Sequence, residues 1–100
     1  MDQKIRYGIL GCGLFGVKTL IPAFQNTKDS ELIAITKRDP NEAKRIAQEK
    51  QIPLFFSDSN RKEFLKQDLD AIFVATPNVS HLRDTVEVLE GGKHVILEKP

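Results

Sequence analysis

The residues best placed to do chemistry in this chain are three glycines. Gly11, Gly13 and Gly16 are spaced Gly-x-Gly-x-x-Gly, directly behind the apolar-rich run Ile5 to Leu10 and ahead of an apolar, helix-compatible segment. A strand, a glycine turn and a helix in that order build an anion site. Gly11 permits the tight turn, Gly13 lets the backbone come close to a phosphate, and Gly16 lets the helix pack on the strand. The helix N-terminus adds unpaired N–H groups and a partial positive charge. The pattern therefore predicts a dinucleotide pyrophosphate site, with Cys12, Leu14 and Phe15 at the variable positions of the loop. The spacing also occurs in glycine turns of other α/β proteins, so the flanking elements must carry the assignment. Cys12 has two readings: a thiol activated at a helix N-terminus, or a small side chain that fits beside the pyrophosphate. No histidine or other base neighbours it in sequence, which favours the second.

A second group with chemical potential is Thr36-Lys37-Arg38. Lys37 lies about 20 residues past the glycines, where an NAD site carries Asp or Glu to accept hydrogen bonds from the ribose hydroxyls. A carboxylate there would repel a 2′-phosphate. Lys37 and Arg38 can pair with one, and Thr36 can donate a hydroxyl hydrogen bond. A charge-assisted hydrogen bond contributes about 1.5–3 kcal/mol, so the triplet predicts a preference for NADP(H) over NAD. In the alternative, both cations are solvated loop charges and Asp39 serves the ribose. Asp39 is better used as a helix cap, because Pro40 follows at the first helical position and Glu42 completes a capping box.

These residues require particular elements to position them. The chain reads as strands at Ile5–Leu10, Glu31–Thr36, Pro53–Phe56, Ala71–Ala75 and His94–Glu98. Between them fall helices from Leu14 to about Gln25, from Pro40 to about Lys50, from Arg61 to Lys66 and from Val79 to Glu90. Pro22 should kink or shorten the last turn of the first helix. Ala43, Ile46 and Ala47 should face the sheet. Phe64 and Leu65 should be buried, and Leu82, Val86 and Leu89 should form the inner face of the last helix. Strands joined by helices imply a parallel sheet with right-handed crossovers. The fold class is α/β, a doubly wound parallel sheet of Rossmann type. Ligands bind outside the carboxyl ends of such strands. The loops there are 11–16, 36–39, 75–78 and 98–100, and every unusual motif lies in one of them.

Composition narrows the function classes. One hundred residues with 40% hydrophobic and 29% charged side chains fit one globular domain, and a net charge of +1 gives no reason to expect nucleic acid. No apolar stretch approaches the roughly 20 residues of a membrane span, and the N-terminus lacks a signal peptide's apolar centre. The lone cysteine cannot form an internal disulfide, which points to the cytoplasm. His81 and His94 lack carboxylate or cysteine partners at metal-site spacing, so no metal is expected.

Two further motifs connect these observations to a family. Ala75-Thr76-Pro77-Asn78-Val79-Ser80-His81, together with Gly92-Lys93-His94-Val95-Ile96-Leu97-Glu98-Lys99-Pro100 and the glycine loop, resembles the glucose-fructose oxidoreductase/inositol 2-dehydrogenase (Gfo/Idh/MocA) family along the whole chain. The combination is specific, although each part alone is not. The resemblance implies an N-terminal cofactor domain followed by a larger α/β domain carrying substrate and subunit contacts. It implies NAD(P)-dependent oxidation or reduction of sugars, inositols and related polyols. Thr76, Pro77 and Asn78 would line the cofactor near the nicotinamide ribose with Ala75 before them and His81 close behind. Glu98 and Lys99 would border the site, and Lys99 would be the active-site lysine. A lysine beside the reacting oxygen can stabilise developing alkoxide charge and help relay the proton. On composition alone, Lys99 is a surface charge at a strand end; the Glu-Lys-Pro context reverses that. His81 suits a helix cap as well as cofactor contact, and His94 reads as structural or exposed.

The chain departs from the family in length. It is expected to be the cofactor domain, residues 1–100, cut before the substrate domain. It should bind cofactor weakly alone, with homo-oligomer contacts and a sugar or polyol substrate belonging to the absent part. Two rival readings stand beside the dehydrogenase: a non-enzymatic module that senses NAD(P), and a related reductase of a non-sugar carbonyl such as a bile pigment.

Overall fold

The computed structural model describes residues 4–13, 16–76 and 81–97. Five parallel strands form one sheet: β1 (Ile5–Leu10), β2 (Ser30–Lys37), β3 (Leu54–Ser57), β4 (Ala71–Val74) and β5 (His94–Leu97). Their spatial order is β3-β2-β1-β4-β5, with β1 at the centre and β3 and β5 at the edges. The chain therefore starts in the middle of the sheet, winds out to one edge, then crosses back to the other. This is a doubly wound parallel sheet, the class that the alternation of elements predicts.

The helices are α1 (Ile21–Gln25), α2 (Pro40–Lys50), α3 (Arg61–Leu65) and α4 (His81–Glu90). On one face of the sheet Ile9, Leu32 and Ile35 pack against Ile21 of α1 and Ile46 and Ala47 of α2. On the other, Leu10, Ile33 and Ile72 pack against Phe64 of α3 and Val88 of α4. Burial on both faces explains why β2 reads as an unbroken apolar run from Leu32 to Ile35. Gly8 in β1 is required by Phe64: a Cβ there would lie 2.9 Å from Phe64 Cζ and 2.8 Å from Leu69 Cδ1.

Three details differ from the sequence expectation. The segment after the glycine loop is a π-helical turn, Gly16–Leu20, and α1 begins only at Ile21. Pro22 does not end this helix. It sits in the first turn of α1, where a missing N–H costs least, and the wider π register precedes it. At α2, the Asp39 carboxylate accepts from the Asn41 N–H at 2.9 Å as expected of a cap. The capping box does not close, because the Glu42 carboxylate accepts from Arg45 instead.

The third difference is the orientation of α4. Leu82, Val86 and Leu89 point outward and are 79%, 42% and 57% exposed, whereas Asp84 and Val88 are fully buried. The apolar stripe loses the inner face to a carboxylate because Arg61 and Thr76 wait there to pair with it. Gly92, at φ +79°, closes the helix and its N–H donates to the Leu89 carbonyl. Among the described residues no helix is long and apolar enough to cross a membrane.

This packing separates two substitutions. Gly8→Ala should destabilise the fold by about 1–3 kcal/mol, because Phe64 cannot retreat in a filled core. Leu82→Ala, on the outer face of α4, should change stability by less than about 0.5 kcal/mol. Urea denaturation of both variants checks this; equal losses would contradict the orientation of α4.

Candidate functional site

The glycine turn is built by backbone geometry and two threonines. Gly11 adopts φ +85°, the left-handed region in which a side chain is strained. Its N–H donates to Thr36 Oγ1 at 2.8 Å. On the opposite side, a Cβ on Gly11 would come within 2.6 Å of Thr76 Cγ2. The turn then continues with Cys12 N–H donating to the Thr36 carbonyl at 2.7 Å and Val17 N–H to the Gly13 carbonyl at 3.0 Å. Among the described residues, a Cβ on Gly13 would meet nothing within 4 Å, so none of them closes the turn at Gly13.

A hollow of about 350 Å³ lies at the carboxyl ends of the central strands, bordered by Gly11, Cys12, Gly13, Lys37, Arg38, Asp58, Ala75 and Thr76. A second hollow of about 340 Å³ shares Gly13 and Lys37 with it and runs along Glu42 and Arg45 of α2. The structure thus brings together residues from the glycine, strand-two and strand-four loops. A larger hollow, about 480 Å³, lies at the opposite end of the strands near Lys4, Gln25 and Lys50 and contains none of the motif residues.

Thr36 is fully buried. Its hydroxyl oxygen takes the Gly11 N–H and its proton faces Asp58 Oδ1 at 3.4 Å. The hydroxyl therefore supports the turn from behind instead of facing the hollow, as a donor to a 2′-phosphate must. Lys37 is half-buried, and its ammonium donates to the Cys12 carbonyl at 3.3 Å. Arg38 is exposed. Cys12 borders the hollow but is not the activated thiol of the first reading. Its side chain is buried in the core with Ile9, Leu20 and Ile35. Burial pushes the thiol up to about 11 against the opposing pull of the Lys37 charge, so it is not an activated nucleophile.

Gly16 opens the π-helical turn and His81 opens α4. His94 is exposed at the start of β5. Leu14, Phe15, Pro77, Asn78, Glu98 and Lys99 lie outside the described residues. Among the described residues no three His, Cys, Asp or Glu side chains group as a metal site would require.

Two residues, one at the hollow and one behind it, escaped sequence reasoning. Asp58 borders the hollow from the end of β3. Asp84, fully buried on α4, accepts from the Thr76 hydroxyl and from Arg61 of α3, with Arg83 3.4 Å away. The one available signal was its position four residues before Val88 on a single helix stripe. Burial pushes the Asp84 carboxyl up. The hydrogen bonds from Thr76 and Arg61 and the charges of Arg61 and Arg83 outweigh it, so the group is held below its ordinary value. A carboxyl lowered on folding contributes stability above its unfolded pKa and loses it as pH falls through the folded one. Asp84→Asn should therefore be less stable than the parent at neutral pH, and the gap should narrow as the pH drops below the ordinary carboxylate range. Urea midpoints measured across that window check this; a gap independent of pH would contradict it.

Comparison with known proteins adds to this geometry. The model of an oxidoreductase family with an NAD-binding Rossmann fold, GFO_IDH_MocA, matches residues 5–100. The dTDP-3,4-didehydro-2,6-dideoxy-alpha-D-glucose 3-reductase of Saccharopolyspora spinosa is 32% identical over 100 residues, which are 100% of this chain and 30% of that protein. The 3-ketoreductase KijD10 from Actinomadura kijaniata, solved in complex with NADP and TDP-benzene, superposes with a TM-score of 0.89 at 30% identity, covering 98% of this chain and 30% of its own. The WlbA dehydrogenase from Bordetella pertussis, solved with NADH and UDP-GlcNAcA, gives 0.84 at 33% identity, covering 98% and 29%. The chain thus spans about 30% of the length of curated relatives it matches.

Proposed function

This chain belongs to the Gfo/Idh/MocA family of oxidoreductases, and we propose that it supplies the cofactor part of an enzyme moving hydride between NADP(H) and a sugar, inositol or similar polyol carbon. The observation that carries the proposal is the convergence of Gly11, Gly13, Lys37, Arg38, Ala75 and Thr76 on one hollow at the carboxyl ends of the strands. A dinucleotide fits these residues: none of the described residues crowds Gly13, where a phosphate must approach, and two cations stand beside the hollow. Relatives named for sugar-nucleotide reduction, and neighbours solved with NADP or NADH, support the reaction class.

In this reading the cofactor, when bound, accepts or gives the hydride. The chain's own residues do the rest. Gly11–Gly13 and the N-terminal turn after Gly16 hold the pyrophosphate, with Leu14 and Phe15 in the same loop. Lys37 and Arg38 pair with the 2′-phosphate. Ala75, Thr76, Pro77 and Asn78 border the nicotinamide ribose, with His81 behind them. Lys99, after Glu98, donates a hydrogen bond to the substrate oxygen and holds the proton that leaves or joins it. Residues 1–100 act as the cofactor domain, and substrate and subunit contacts fall in the length of the relatives that this chain does not span. A cytoplasmic setting accords with a buried, unactivated thiol.

One observation favours a second reading of the cofactor. Asp58 borders the same hollow as Lys37 and Arg38, and a carboxylate there suits free ribose hydroxyls, so NAD(H) is the competing ligand. Calorimetric titration separates the two. NADPH should bind about 10-fold or more tighter than NADH, and Lys37→Asp should weaken NADPH selectively. Tighter NADH would overturn the roles given to Lys37 and Arg38, and no binding of either by folded protein would overturn the site. In the whole enzyme, Lys99→Ala should cut turnover by about 100-fold or more while cofactor affinity is retained; unchanged turnover would favour a sensing module.

A further inference from the structure

The glycine turn is gripped from both sides by a threonine, and each threonine is held by an aspartate. On the β2 side Thr36 accepts the Gly11 N–H at 2.8 Å and faces Asp58 at 3.4 Å. On the β4 side Thr76 donates its hydroxyl to Asp84 and lays its methyl against Gly11, where Thr76 Cα and N also lie 3.2 Å from a would-be Cβ. A threonine rotates about one bond, and satisfying the hydroxyl fixes where the methyl goes. Asp84 is itself fixed by Arg61 of α3, whose Nε lies 3.1 Å from Glu87 of α4. Neither Asp84 nor Arg61 borders the hollow.

We propose that Asp84 is a positioning residue for the pyrophosphate turn: through the Thr76 hydroxyl it sets the Thr76 methyl, and through that methyl it sets Gly11 from the α3–α4 side of the sheet. Asp84 touches no cofactor in this account. It acts by lowering the freedom that the turn must lose when a phosphate is bound. A fully buried carboxylate is costly unless its partners repay it. Here the partners are a residue of the hollow and an arginine 23 positions away, which ties the cost to the geometry of the turn. The proposal rests on the dinucleotide reading of that turn.

The test uses Thr76→Val, which keeps the branched shape and loses the hydroxyl, Thr76→Ser, which keeps the hydroxyl and loses the methyl, and Asp84→Asn. Two quantities are measured: NADPH affinity by calorimetry, and amide hydrogen exchange at Gly11 and Gly13 in the cofactor-free protein. Thr76→Val and Thr76→Ser should each weaken NADPH about five- to tenfold and speed exchange at the two glycines, with exchange at Ile35 and Ala47 unchanged. Asp84→Asn should do the same; if it does not fold, the two Thr76 variants decide. Wild-type affinity with unchanged glycine exchange in the Thr76 variants would overturn the proposal. So would faster exchange throughout the core, which would make Asp84 a general prop of the fold. If wild-type protein binds no NADPH while the variants still speed exchange at the glycines alone, the dinucleotide reading fails and the positioning of the turn by Asp84 stands.

Discussion

The turn from β1 into the first helix can form only because Gly11 has no side chain. Its backbone stands at φ +85°, and the space that a Cβ would take is already filled by Thr76, two residues past the end of β4. That contact brings the carboxyl end of β1 against the loop that leaves β4. The Gly11 N–H and Thr36 hydroxyl bring in β2, and Thr36 with Asp58 extends the connection to the end of β3. A site spread over separate loops thus rests on one point of close approach. A larger residue at Gly11 would be strained in its own backbone and would also push Thr76 away from Asp84.

The electrostatics of the hollow follow from the same arrangement. Lys37 is turned toward the glycine loop by its bond to the Cys12 carbonyl, while Arg38 is left exposed. Asp58 borders the hollow beside them, so the cations do not act on an uncharged background. On α2, Arg45 faces both Glu42 and Glu49 on an exposed helix surface, where water and salt screen such pairs. The discrimination proposed between NADP(H) and NAD(H) therefore depends on Lys37 and Arg38 outweighing a nearby carboxylate.

Much of this was legible in the sequence where punctuation is local. β1 ends at the glycine loop, Asp39-Pro40 starts α2, and Gly91-Gly92 ends α4, because each boundary depends on backbone freedom or capping that neighbouring residues specify. A parallel, doubly wound sheet follows from the alternation of strands and helices; the order of its strands does not, because more than one doubly wound order has that alternation. What was not legible depends on pairs distant in sequence. The apolar spacing of Leu82, Val86 and Leu89 pointed inward, yet Asp84 took that side through Arg61, 23 residues away. Thr36 read as a ligand contact and is instead a buried support. Cys12 read as a residue of the glycine loop; that its side chain also joins the core with Ile9 and Ile35 depends on strands distant in sequence. Periodicity reports how apolar a face is; it does not report which polar group has a partner waiting.

The most direct measurement is an amide-resolved NMR titration of the protein with NADPH. The account predicts that the largest shifts fall at Gly11, Cys12, Gly13, Lys37, Arg38, Ala75 and Thr76, with the amino ends of the strands unmoved. Shifts centred instead on Lys4, Gln25 and Lys50, around the larger hollow at the opposite end of the sheet, would contradict it.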